Sequence, residues 1–200
     1  MQKLCLVLVM LLCALGMQAS TLDTLNYLGY PYGLHDGSYY VGNAKGSLAS
    51  DPDDQFEMWC IDSLHRMENH YQVYVMTLVE ATTNGYMGFS LADYQTMAVL
   101  GNGFTNYNPN DSQVQHAIWS LGDNRSLTPI EQAILTQAQA SIGNRDYSNI
   151  RAFIPAQPGV GQAMMDGETS LVPEPTTLVL SGAGLLLVLG GARRRPNNRN

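Results

Sequence analysis

The chain is short of cysteine and short of positive charge. Of its 200 residues three are cysteines, and Cys5 and Cys13 fall within the first nineteen residues, which read as a leader. With the leader set aside Cys60 stands alone. That excludes an internal disulfide and leaves one thiol to explain as a buried bystander, an intermolecular bridge or a reactive group. Lysine and arginine total 10 against 17 Asp and Glu. Lys3 lies in the leader, and Arg193, Arg194, Arg195 and Arg199 lie in the tail. Between the leader and the sorting tail the chain therefore keeps five basic residues against sixteen acidic ones, a net charge of −11. Such a balance excludes nucleic acid and an anionic bilayer as surface partners. Asp51, Asp53 and Asp54 lack the Gly and terminal Glu of a calcium loop and read as a solvated turn. No cofactor is expected.

What is present begins at the two ends. Met1-Gln2-Lys3, the apolar run Leu4 to Leu15 and the small residue Ala19 predict a signal peptide over 1–19. At the other end Pro173-Glu174-Pro175 precedes seventeen uncharged residues, Thr176 to Ala192, and then Arg193-Arg194-Arg195. Seventeen helical residues span about 25 Å, close to a hydrocarbon core of ~30 Å. The arginines predict a cytoplasmic C-terminus. This order resembles the PEP-CTERM sorting signal of Gram-negative bacteria. The resemblance implies an exosortase-type processing enzyme as partner and a membrane helix over 176–192 before processing. It further implies an inner-membrane intermediate, then delivery of the exported protein to the cell surface or extracellular matrix.

The body, 20–165, divides by character, with 166–172 as a linker to the sorting tail 173–200. Tyr39 to Gly42, Phe56 to Ile61 and Tyr71 to Val79 read as strands. Three helices follow within about 90–143. The first carries Ser90 and Asp93 in capping-box spacing, and the second runs from about Ser112 to Leu121. The third opens on Thr128-Pro129-Ile130-Glu131. Asn149 to Pro155, and a short segment at Gln162 to Met165, return to strand. The expected fold class is α+β: an antiparallel β barrel or sandwich with a three-helix insertion, plus the signal peptide and a C-terminal membrane helix.

Alternation places Phe56, Met58 and Cys60 on one strand face and Trp59 on the other. Val114, Ala117, Ile118 and Leu121 form an apolar stripe on the second helix, with Gln115 and Trp119 flanking it at i, i+4. Read alone, Cys60 is a small buried hydrophobe, Gln115 part of a capping box with Ser112, and Trp119 core. A cysteine hydrolase using Cys60 with Asp62, His65 or His116 is disfavoured, because such thiols sit at helix N-termini. A metal site on His65 and His70 is disfavoured by their spacing.

Trp59-Cys60-Ile61-Asp62 and Val114-Gln115-His116-Ala117-Ile118-Trp119 resemble two signature blocks of bacterial thioester domains. In those surface domains a Cys and a Gln side chain join covalently. A third block of that family, a Gln among apolar residues, is matched by Gln162 in Val160-Gly161-Gln162-Ala163-Met164-Met165. The departures are Trp59 for Tyr, Phe or Leu, Val114 for Thr, and Gly161 for a bulky apolar residue. The resemblance implies a bond between Cys60 and Gln162, supported by Gln115, Trp119, Trp59 and Asp62. It implies a single-use covalent adhesin rather than a turnover enzyme. The partner would be a surface amine or hydroxyl ligand, or an exopolysaccharide. A non-reactive structural matrix protein of the same fold is the alternative. His65 and His116 are both candidates to take the thiol proton.

Overall fold

The computed structural model describes residues 20–30, 35–36, 39–102, 111–167 and 170–171. Six strands close into an antiparallel barrel in the order β1-β4-β5-β9-β8-β6: β1 (Thr21–Gly29), β4 (Ala44–Leu48), β5 (Asp51–Cys60), β6 (His70–Met76), β8 (Arg151–Pro155) and β9 (Met164–Asp166). Closure leaves no barrel edge unpaired. Two two-stranded ribbons complete the strands: β2 (His35–Asp36) with β3 (Tyr39–Tyr40), and β7 (Arg145–Asp146) with β10 (Ser170–Leu171). Asp166 thus ends a barrel strand and Ser170–Leu171 pair, within the stretch expected to be a linker.

Among the described residues four helices are inserted between β6 and β7: α1 (Leu78–Asn84), α2 (Leu91–Gly101), α3 (Asp111–Asp123) and α4 (Pro129–Ala140). Local chemistry starts three of them. Thr77 with Glu80, Ser90 with Asp93, and Thr128 with Glu131 each form a reciprocal capping box. Pro129 fills the first turn of α4, where no N–H partner is needed. The buried face of α3 presents Val114, Ala117 and Ile118 to a core shared with Leu25, Met58, Phe153 and Met164 of the barrel.

These observations correct the expected fold class. The described part of the insertion holds four helices, because β6 stops at Met76 and a capped helix begins at Leu78, where a continuous strand to Val79 was expected. The supposed turn at Asp51 to Asp54 is the first part of β5, paired with β4 at Leu48 and Asp51. Among the described residues no helix is long and apolar enough to cross a membrane. The expected signal peptide at 1–19 and the sorting tail at 173–200, with Pro173, Glu174, Pro175, Arg193, Arg194, Arg195 and the helix over 176–192, lie outside the described residues. The membrane anchor, the exosortase partner, and the inner-membrane intermediate with later surface or matrix delivery therefore lose their support.

Candidate functional site

Cys60 is the last residue of β5, where the strand leaves the barrel wall. It pairs with Met164 of β9, and the Ile61 N–H donates to the Ala163 carbonyl at 3.0 Å. This ladder aligns the segment carrying Cys60 with the one carrying Gln162, although 102 positions separate them. Alternation buries Met58 and Cys60 and turns Trp59 to the other face.

The side chains converge on one oxygen. The Cys60 thiol donates to the Asp62 carbonyl at 2.9 Å, and the Gln162 Nε2 donates to that same oxygen at 3.0 Å. Thiol and carboxamide are therefore held within ~6 Å of each other by two ordinary hydrogen-bond lengths. From α3, the Gln115 Nε2 donates to the Cys60 carbonyl at 2.6 Å. Gln115 is fully buried, and its Oε1 has no partner among the described residues. Helix α3 starts at Asp111, so Ser112 lies within the helix, and the Gln115 amide serves the Cys60 backbone. The Trp119 indole is buried, 2% exposed, on the same helix one turn after Gln115. Arg125 covers its ring at 4.7 Å, pairs with Asp123, and Asp123 in turn accepts from Ser63 at 2.7 Å.

Burial pushes the Cys60 thiol up to about 12. That disfavours a hydrolase thiolate, and the position of Cys60 at a strand end supplies no helix dipole to reverse it. Asp123 is held below the usual carboxylate range: its partial desolvation is overcome by Arg125 and Ser63.

Asp62 has a second role through its side chain. Fully buried, its carboxylate accepts from the Leu64 N–H at 2.8 Å, from the Tyr86 hydroxyl at 2.5 Å, and lies 2.5 Å from His65 Nδ1. Burial pushes the Tyr86 hydroxyl above its ordinary range, and the bond to Asp62 adds to that. So one residue holds the thiol by its backbone and an imidazole by its side chain. His116 is elsewhere, 2.9 Å from Glu131 at the start of α4. His65 and His70 take separate partners, Asp62 and Asn26. Among the described residues no group of three or more His, Cys, Asp or Glu is placed to hold a metal ion.

Of the residues singled out in the sequence, Cys60, Gln162, Gln115, Trp119 and Asp62 come together. Trp59 does not join them; its ring lies against Gly101 of α2, where a Cβ would stand 2.6 Å from Trp59 Cδ1. Gly161 is explained by a residue the motif reading passed over. Its φ is +77°, and a Cβ there would meet the Tyr71 ring of β6 closer than 3.0 Å. Tyr71 is buried, and its hydroxyl donates to the Gln162 carbonyl at 2.5 Å. The bulk expected at position 161 is supplied by Tyr71 of β6. Alternation in β6 marks Tyr71 as inward-facing, but nothing local ties it to Gln162. Tyr86 had no signal at all.

No family model matches the chain, and no curated protein matches it. Among solved structures, the N-terminal thioester domain of a surface protein from Clostridium perfringens is similar, at 12% identity and a TM-score of 0.48, over 75% of this chain and 100% of that one. This is a distant, partial resemblance of fold, and it carries no argument about chemistry.

Proposed function

We propose that Cys60 and Gln162 join in an internal thioester and that the protein is a covalent-capture protein, an adhesin that spends this bond once on a partner nucleophile. The observation that carries this reading is the shared acceptor: the thiol and the Gln162 carboxamide both donate to the Asp62 carbonyl in a buried site. Two groups fixed side by side react as if at very high concentration, which substitutes for an activated acid. In the step itself sulfur bonds to the Gln162 Cδ, the Cδ–Nε2 bond breaks, and the thiol proton leaves with nitrogen as ammonia. No external reagent is needed for balance. Gln115 fixes the Cys60 backbone during that step, and Trp119 with Arg125 over it excludes water.

One observation favours a second reading, a non-reactive structural protein of the same fold: burial holds the thiol protonated, with a pKa of about 12. Thiol labelling separates the two. In the bonded protein Cys60 resists labelling both when native and when freshly denatured, and methylamine exposes it. In Gln162→Ala denaturation alone gives full labelling. Complete labelling of denatured wild-type protein never exposed to amines would leave only the non-reactive reading.

A further inference from the structure

We infer that Tyr71 is the positioning residue for the bond-forming step: its hydroxyl fixes the main chain at Gln162 and so keeps that carboxamide beside Cys60. This rests on the thioester reading above. Gln162 does not sit on a strand. It lies in the connection 156–163 between β8 and β9. The connection is tied to the barrel at its two ends. The Ala156 N–H donates to the Gln72 carbonyl at 2.9 Å, and the Ala163 carbonyl accepts from the Ile61 N–H at 3.0 Å. Between those ties the Tyr71 hydroxyl, 2.5 Å from the Gln162 carbonyl, makes the one bond from the barrel wall to the main chain of 157–162 among the described residues.

The donor itself is held firmly. Alternation in β6 turns Tyr71 inward, 4% exposed, and the strand lies between β1 and β8 with Tyr71 paired to Leu25. Tyr71 then grips two successive residues. Its ring rests where a Cβ on Gly161 would stand, and its hydroxyl bonds the next carbonyl. Met67 Sδ stands at 3.7 Å, a weak acceptor, so the single phenolic proton goes to the carbonyl. Burial pushes the hydroxyl above its ordinary range. It therefore stays protonated and acts as a fixed donor, not as an acid or base.

The chemistry makes that hold matter. Sulfur must bond to the Gln162 Cδ while the Cδ–Nε2 bond breaks and ammonia leaves with the thiol proton. A carboxamide is a poor acyl donor, so the rate depends on how closely the reacting groups keep their geometry, and a misplacement of ~1 Å costs about 100-fold. The Gln162 side chain is tethered through Nε2 to the Asp62 carbonyl, but a side chain with several rotatable bonds fixes its carbon only if its own main chain is fixed. Without the phenolic proton the Gln162 carbonyl is buried with no donor, and the segment must shift to find one.

Intact mass of the full chain, sampled during cell-free synthesis, reads how fast the ammonia is lost. Tyr71→Phe keeps the ring and removes the hydroxyl. It is expected to fold, by circular dichroism, and to form the bond about 10- to 100-fold more slowly than wild type. Ile134→Val trims a fully buried side chain of α4 and lowers stability without touching Tyr71, so it should form the bond at the wild-type rate. The glycines give a second, independent pair. Gly161→Ala drives the same ring off the carbonyl and should slow formation, whereas Gly159→Ala, with nothing within 4 Å of its Cβ, should not. That pair decides the matter if Tyr71→Phe does not fold. A folded Tyr71→Phe that reacts at the wild-type rate would overturn the inference, as would equal rates in the two glycine variants. Ile134→Val slowed as much as Tyr71→Phe would also overturn it, because lost stability would then account for both. A wild-type chain that never loses about 17 Da would instead sink the thioester reading itself.

Discussion

Gly161→Ala is expected to destabilise the protein by about 2–4 kcal/mol, more than any change to a surface position. Two costs combine. A left-handed backbone costs a residue with a Cβ about 1–2 kcal/mol, and Gly161 has φ of +77°. The added methyl also meets the Tyr71 ring. That ring cannot swing aside, because it is buried and its hydroxyl is bonded to the Gln162 carbonyl. Overpacking in a closed core adds about 1–3 kcal/mol. Gly159→Ala is the internal control: φ there is +80°, but nothing lies within 4 Å of the new Cβ. It should show only the backbone cost. Urea unfolding of the two variants measures the difference. Equal losses at 159 and 161 would mean that Tyr71 does not brace the Gln162 segment.

Arg151→Ala is expected to cost about 2–4 kcal/mol, the second large effect. Asp166 of β9 is 4% exposed and is held by the Arg151 guanidinium, with Nε 3.1 Å from each carboxylate oxygen. Burial raises the Asp166 carboxyl above its ordinary range even though Arg151 opposes this. Removing the arginine strands a buried charge, typically a loss of about 3–5 kcal/mol, reduced here because Arg151 is itself 37% exposed. The guanidinium also lies over Phe56 and Phe153 at 4.7 and 5.5 Å, and that packing goes with it. The double replacement Arg151→Met with Asp166→Asn leaves no buried charge. It should recover part of the loss in thermal or urea unfolding. A single variant no less stable than wild type would show that the pair is solvated and does not secure β8 against β9.

Which parts of this structure were legible in the sequence follows from how local their causes are. The starts of α2 and α4 were readable because a capping box is four residues of self-contained chemistry, at Ser90–Asp93 and Thr128–Glu131. Thr77–Glu80 carries the same signal, yet one residue separates strand from helix there, and the β-branched run through Val79 masks the change. Strand β1 had no pattern to find. Its leucines at 22, 25 and 28 repeat every third residue, and only Leu25 is buried. It is a strand because β4 and β6 pair with it on both sides, a cause that local propensity does not contain. Asp51-Pro52-Asp53-Asp54 has turn composition, yet it forms the start of β5, with Asp51 paired to Leu48 of β4.

The site divides the same way. Gln115 and Trp119 share one helix and were readable by spacing. Cys60 and Gln162 were linked only through motif resemblance; the barrel ladder now puts them on one oxygen. Asp62 was named as a supporting residue through motif resemblance and as a disfavoured hydrolase partner of Cys60. Its hub of bonds to His65 and Tyr86 depends on a left-handed turn after α1, which leaves no trace in hydrophobic periodicity.

The mass of the intact protein bears most directly on the bond between Cys60 and Gln162, because forming a thioester from a thiol and a carboxamide expels one ammonia, about 17 Da. Electrospray of denatured protein never exposed to amines should give a wild-type mass that much below the value calculated from its chain. Cys60→Ala and Gln162→Ala should each give their full calculated mass. Wild-type protein at its full calculated mass would contradict the account.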